Sequence, residues 1–224
     1  MIAAYARELA GLAPQLEERS ALAPVAHGLD YAEQGQFAGR RWVLAANGAG
    51  PRLAARAAGA FGRVTRIVST GFCGALDPAL SAADIVVCDR VIDTDSNRRY
   101  RTADAFGTAC LSGDRVIQTA REKQELRQTT GAGIVEMEAA GVAAEAEAMG
   151  VPLHCIRVVT DTADEDMRID FNAARDETGH FRTGRILASA LRRPRTGIPE
   201  LFKLSQRARV AAERLGGYLV KHAF

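Results

Sequence analysis

A chain of 224 residues, 47% of them hydrophobic, suits one α/β domain with a substantial core. No run approaches the ~18–20 apolar residues of a membrane span, and the N-terminus lacks the basic region and long apolar stretch of a secretory signal. The net charge of +2 hides an asymmetry: residues 182–224 hold ten Lys and Arg against two Glu, making that segment +8 and the remainder −6. A solvated helix face accounts for such a run, and a surface for an anionic partner is the sharper reading. The cysteines (Cys73, Cys88, Cys110, Cys155) and histidines (His27, His154, His180, His222) are scattered. They read as reduced thiols of a cytosolic protein with no metal site.

Residues 1–5 are short and apolar and read as a first strand, followed by a helix from Arg7 that Pro14 limits. Glu8 lies near that strand's carboxyl end; taken alone it is an ordinary helix-surface acid. Residues 40–46 read as a strand, and Asn47-Gly48-Ala49-Gly50-Pro51 turns it into an Ala-rich helix over 53–60, with Pro51 suited to the first turn. The turn is not G-x-G-x-x-G and no Lys-Ser/Thr follows, so neither a dinucleotide site nor a P-loop is indicated. Residues 66–70 form another strand, which runs into a loop, Gly71-Phe72-Cys73-Gly74-Ala75-Leu76-Asp77-Pro78, whose small residues allow a backbone to approach a flat ligand. A turn at 81–84 leads into a strand over 85–92. Residues 93–107 are polar and read as a surface loop, with a lid or a dimer contact as the other reading.

Thr119 starts a helix that runs to Thr130-Gly131. Glu136 and Glu138 flank Met137, and a helix follows over 139–149, stopped by Gly150 and Pro152. Residues 155–159 read as a buried strand despite Arg157, with Thr160-Asp161 where it ends. In an open α/β sheet ligands bind at the carboxyl ends of strands. Asp161 therefore stands at the functional edge, and Glu138, close to the positive pole of its helix, can share a pocket with it. The polar residues 161–171 are of the kind that closes over a ligand. In the tail, Leu201, Leu204, Ala208, Ala211, Leu215 and Leu219 recur at helical spacing between Lys and Arg.

V-E-M-E-A-A, then G-V-P, then a strand ending in T-D-T-A-D, together with T-G-F-C-G-A-L-D-P followed by D-I-V-V, resembles the nucleoside phosphorylase and nucleosidase superfamily. Within it the chain is most similar to methylthioadenosine/S-adenosylhomocysteine nucleosidases. The L-A-S-A-L-R-R-P and T-A-R-E-K elements also resemble the group associated with hopanoid lipid synthesis, which removes adenine from adenosylhopane. The resemblance implies a single α/β domain over 1–224, three layers (αβα) around a central mixed sheet, with no metal or organic cofactor. It implies that Asp161 protonates the purine at N7, oriented by Thr160, that Glu138 binds the ribose hydroxyls, and that Met137 lies against the sugar. Glu8 matches the glutamate that activates the attacking water, although the family's run of acids is A-R-E here. Phe72, Cys73 and Gly74 belong to the ligand-side glycine loop. Ser112–Ile117 corresponds to a strand that offers main chain to the adenine edge, with Ile117 pairing with the base and Val116 in place of a stacking aromatic. Phe171 matches an apolar contact of the 5′ substituent; a core-facing helix residue is the alternative.

Phosphorolysis needs donors for a phosphate dianion. Ser69 and Phe72 stand where similar phosphorylases carry Arg and Ser, which favours hydrolysis over phosphorolysis. A phosphate-dependent purine nucleoside phosphorylase and a non-catalytic nucleoside- or lipid-binding module are the alternatives. The expected setting is cytoplasmic: a homodimer taking a small-molecule nucleoside, not nucleic acid, with peripheral inner-membrane contact through 182–224. Asp161 is expected to hold a proton near neutral pH, its acidity weakened by burial or by a donating neighbour. Glu136 has no assigned role.

Overall fold

The computed structural model describes residues 1–22, 28–192 and 194–222. His27 and Arg193, counted above, lie outside them. Among the described residues ten strands form one mixed sheet: β1 (Ile2–Ala3), β2 (Glu17–Ala21), β3 (Tyr31–Phe37), β4 (Arg40–Ala46), β5 (Ile67–Ala75), β6 (Ile85–Asp93), β7 (Arg99–Arg101), β8 (Thr108–Ser112), β9 (Ile134–Glu136) and β10 (Leu153–Asp161). Their order is β10-β6-β8-β9-β5-β1-β4-β3-β2, with β7 beside β6. β10 also pairs with β5, so β5, β10, β6, β8 and β9 close on themselves while β1 to β4 extend as an open wing.

The strand β5 creates the site. One edge pairs with parallel β10 from Ile67 to Gly74. The other pairs with β1 at Ser69 and with β9 at Gly74 and Ala75. Between those contacts β1 and β9 diverge, leaving a crevice at a switch in strand pairing, where α/β sheets commonly bind ligands.

Helices cover both faces. On one side α1 (Pro51–Gly59) packs on α3 (Ala139–Met149) through alanines such as Ala54, Ala57, Ala143 and Ala146. Gly141 permits the approach, since a Cβ there would overlap the Pro51 carbonyl. On the other side α6 (Pro194–Lys221) seats Ala211, Leu215 and Leu219 against Leu9, Leu44, Val68 and Ile156. Three further α-helices among the described residues are α2 (Ala120–Thr130), α4 (Phe171–Ala174) and α5 (Thr183–Leu191). The three-layer mixed α/β architecture is as expected; the closure of five strands was not anticipated.

Several local expectations change. Gly71–Ala75 is not a loop but the second half of β5, because β10 supplies backbone partners as far as Gly74. The strand expected to reach Ile117 ends at Ser112, where its pairing with β9 ends at Glu136. The first helix is two 3₁₀ turns, Ala6–Leu9 and Ala13–Gln15. The polar loop 93–107 contains β7, and the β2–β3 pair was unread. The helix α3 ends as expected at Gly150, whose left-handed φ of 66° suits glycine.

Candidate active site

The turn from β9 into α3 is held by Glu136. Its carboxylate accepts from the N–H groups of Glu138 (2.9 Å) and Ala139 (2.9 and 3.1 Å). Ser112 Oγ accepts the Ala140 N–H at 2.9 Å, so the helix start is satisfied by side chains. Arg157, with no solvent exposure, donates to Glu136 Oε2 from Nη2 (2.6 Å) and Nε (3.2 Å), and to Ser69 Oγ (2.7 Å). Glu136 therefore positions the Met137-Glu138 turn. The sequence did carry a signal for this pair: an arginine within an apolar strand requires a buried acceptor.

Glu138 caps α3, and its Oε1 accepts the Gly50 N–H at 3.1 Å. Gly50 presents that N–H with φ of 110°, a conformation favouring glycine. Burial, followed by the charges of Glu136 and Glu8, pushes the Glu138 carboxyl well above its ordinary value.

Glu8 sits in the first 3₁₀ turn and is buried. Its Oε2 accepts the Ala4 N–H at 3.4 Å and lies over Gly71, whose φ is 140°. A Cβ at Gly71 would collide with this carboxylate. Desolvation by burial raises the Glu8 carboxyl to about 7.

Asp161 ends β10, also buried. The Thr160 hydroxyl lies 2.9 Å from Asp161 Oδ1 and 3.1 Å from the Cys73 carbonyl, and gives its proton to one or the other. Gly74 leaves room beside the acid, since a Cβ there would lie 2.8 Å from Oδ2. Oδ2 receives a hydrogen bond from Lys123 Nζ at 2.7 Å. Lys123 has no exposure, and its ammonium also donates to the carbonyls of Thr162 (2.7 Å) and Glu165 (3.2 Å). Asp161, expected to carry the proton for the base, thus meets a buried lysine that was not anticipated as its partner. Sequence reading missed Lys123 because a lysine early in a polar helix reads as solvated.

All eleven residues singled out from the sequence line one cavity of about 880 Å³: Glu8, Phe72, Cys73, Gly74, Val116, Ile117, Met137, Glu138, Thr160, Asp161 and Phe171. Phe181, Ile186, Leu201, Leu204 and Ala208 also line it, as do the charged Arg7, Arg115, Glu136, Arg209 and Glu213. Phe171 starts α4 and meets Phe181 edge-on at 6.0 Å, so it is a cavity wall. The Val116 N–H and carbonyl are both occupied by the Asn172 amide at 2.9 Å. Residues 162–172 are tied down by Met167 N–H to the Gln118 carbonyl (2.7 Å), Gln118 Nε2 to the Ile169 carbonyl (2.9 Å) and Asp166 to the Ala120 N–H (2.7 Å). Glu165 binds Arg207 (2.5 and 3.0 Å) and Lys203 (2.6 Å) of α6, and the Arg207 bond first of all holds its carboxyl far below its ordinary value.

Three of the scattered cysteines converge. Cys88, Cys110 and Cys155 place their sulfurs within 4.8 Å of one another, all buried, the one group of metal-compatible spacing among the described residues. They pack with Val86, Val91 and Ile134 as small apolar side chains.

A closed five-strand sheet with an open wing, flanked by helices and carrying buried carboxylates in the crevice beside β5, defines a nucleoside phosphorylase-like α/β protein. The chain belongs to the Phosphorylase superfamily, whose family model matches residues 1–110 and 104–192. It is 29% identical to a 5′-methylthioadenosine/S-adenosylhomocysteine nucleosidase of Mycobacterium bovis, over 62% of this chain and 77% of the relative. Among solved structures it is similar to the S-adenosylhomocysteine nucleosidase of Streptococcus pyogenes in complex with 5-methylthiotubericidin (TM-score 0.73, 18% identity, 98% of this chain and 92% of that one). It is also similar to the futalosine hydrolase of Helicobacter pylori (TM-score 0.68, 18% identity, 98% and 96% covered).

Proposed function

We propose that this protein is an adenine nucleosidase that hydrolyses the N-glycosidic bond of a 5′-substituted adenosine. The observation that carries the reading is that Glu8, Glu138 and Asp161 line a single cavity. Breaking the bond leaves a cationic sugar and an anionic purine. Asp161 protonates the base at N7, with Thr160 orienting it. Glu138 accepts from the ribose hydroxyls and stabilises the oxocarbenium-like sugar, with Met137 against the ring. Glu8, at about 7, is a base matched to neutral pH and removes a proton from the attacking water. Ile117 meets the base edge. Arg157 is committed to Glu136 and Ser69, and apolar Phe72 lines the cavity, which supports water as nucleophile; Arg7, Arg115 and Arg209 also line it and are the donors a phosphorylase would use. The nucleosidase relatives support the same reaction class.

The apolar lining residues Phe171, Phe181, Ile186, Leu201 and Leu204 support an apolar 5′ group, and adenosylhopane is the candidate. Leu187, Leu191 and Phe202 are exposed on α5 and α6, Phe202 at 74%, among the basic residues of 182–224. This face suits peripheral contact with an anionic membrane from the cytoplasmic side. Phe106, 89% exposed just before β8, suits contact with a second copy in a homodimer.

The test is adenine release from methylthioadenosine, adenosylhomocysteine and a lipid-linked adenosine, with and without phosphate. Phosphate-independent release is expected; release that requires phosphate would make the protein a phosphorylase. Leu204→Trp should slow the lipid-linked substrate most, and equal slowing of all three would count against Leu204 contacting the 5′ group.

A further inference from the structure

Lys123 carries an inference about how the acid works, which rests on the assignment of Asp161 as the group that protonates the base. We propose that Lys123 is the proton reservoir for cleavage, replacing through Asp161 the proton that Asp161 gives to N7.

An ammonium removed from water costs several kcal/mol unless charge and hydrogen bonds compensate it. Lys123 is fully buried, and its three acceptors are two neutral carbonyls and one carboxylate, Asp161 Oδ2, at 2.7 Å. Oδ2 is already occupied by this N–H, while Oδ1 lies 2.9 Å from the Thr160 hydroxyl, which the Cys73 carbonyl also contacts. An ion-paired carboxylate is not itself an acid. A proton can nevertheless move along the N–H···O contact, because a dry site narrows the gap between the charged pair and its neutral tautomer.

The other charges nearby are committed. Glu165, on the turn above, is bound by Arg207 and Lys203. Asp166 accepts the Ala120 N–H, and Asp164 the Thr162 hydroxyl. On α2, Glu122 pairs with Arg115. Glu136 and Arg157 pair with each other, and the Cys73 thiol is pushed up by burial. Lys123 is thus the proton donor in contact with Asp161 besides the Thr160 hydroxyl.

The step balances. The electron pair of the C1′–N9 bond passes to the purine, N7 takes a proton from Asp161, and Asp161 takes one from Lys123, leaving a neutral amine. Water attacks C1′ and gives its proton to Glu8. Glu8 then returns that proton to solvent and Lys123 regains one from solvent, so the net reaction is addition of water across the glycosidic bond.

The experiment compares wild type, Lys123→Arg and Lys123→Met in the full chain, following adenine release across pH and hydrolysis of p-nitrophenyl riboside, whose leaving group needs no proton. Arginine keeps the charge and the hydrogen bonds but does not give up its proton. K123R should therefore lose about 100-fold or more in kcat for adenine release, with KM changed less than about threefold, and hydrolyse the nitrophenyl riboside at the wild-type rate. In K123M, Asp161 must take its proton from solvent, so the alkaline limb of kcat/KM should move to lower pH and the profile should narrow against the acid limb that Glu8 sets at about 7. Wild-type adenine release by K123R, or a K123M profile lowered without change of shape, would overturn the proposal. If thermal melting finds K123R unfolded, the K123M profile decides. Failure of wild type to release adenine from any substrate would instead overturn the nucleosidase reading.

Discussion

Replacing Glu8 by Gln should stabilise the protein while removing its activity. Glu8 is 5% exposed, and lost hydration raises its carboxyl to about 7 against an ordinary 4.5, despite the opposing pull of Arg7 and Arg157. The native state therefore binds this proton more tightly than the unfolded chain. Its stabilising contribution is complete below 4.5 and is lost as pH rises through about 7. Above that, keeping the buried carboxylate charged costs about 3 kcal/mol. Glutamine retains the shape and the oxygen that accepts the Ala4 N–H, but carries no charge. Urea unfolding should show E8Q more stable than wild type by up to about 3 kcal/mol near pH 8, with most of the gap gone by about pH 5. Adenine release by E8Q should be absent. No stability gain at the higher pH would refute the account of Glu8 as a charge held at a cost for catalysis, and retained turnover would remove it as the water base.

The same carboxyl sets an acid limb: kcat/KM should rise with pH through about 7, and a flat profile across neutrality would show that Glu8 does not control it. Gly71→Ala drives a Cβ into the Glu8 carboxylate and should abolish turnover, with a stability loss of about 1–3 kcal/mol by thermal melting. Arg157→Met leaves Glu136 buried without its partner and should cost about 3–5 kcal/mol in denaturant unfolding, partly recovered by adding Glu136→Gln. Asp161→Asn should stop adenine release while circular dichroism shows the fold retained; an active variant would remove Asp161 from its role.

Much of the architecture was legible because its signals are local. The 40–46 strand is read from its apolar run, and α3 from an Ala-rich stretch closed by Gly150 and Pro152. The extension of β5 through T-G-F-C-G-A was not legible. Glycine-rich residues read as a loop until a partner strand satisfies their backbone, and β10 lies more than eighty residues further along. The 3₁₀ geometry around Glu8 was hidden similarly, since its burial depends on β5 and α6 closing around it.

The sequence by itself determined much of the inventory of the cavity: the carboxylates Glu8, Glu138 and Asp161, the glycines that make space beside Glu8 and Asp161, and the apolar tail residues that line it. Residue type and spacing record which side chains are available. Only the tertiary structure decided which charges meet. Arg157 looked like an anomaly in a strand and Lys123 like a solvated helix lysine, yet one neutralises Glu136 and the other Asp161. Both pairs form between elements remote in sequence. Their strength comes from the loss of water around them, and exclusion of water is a property of the folded interior that linear spacing does not carry.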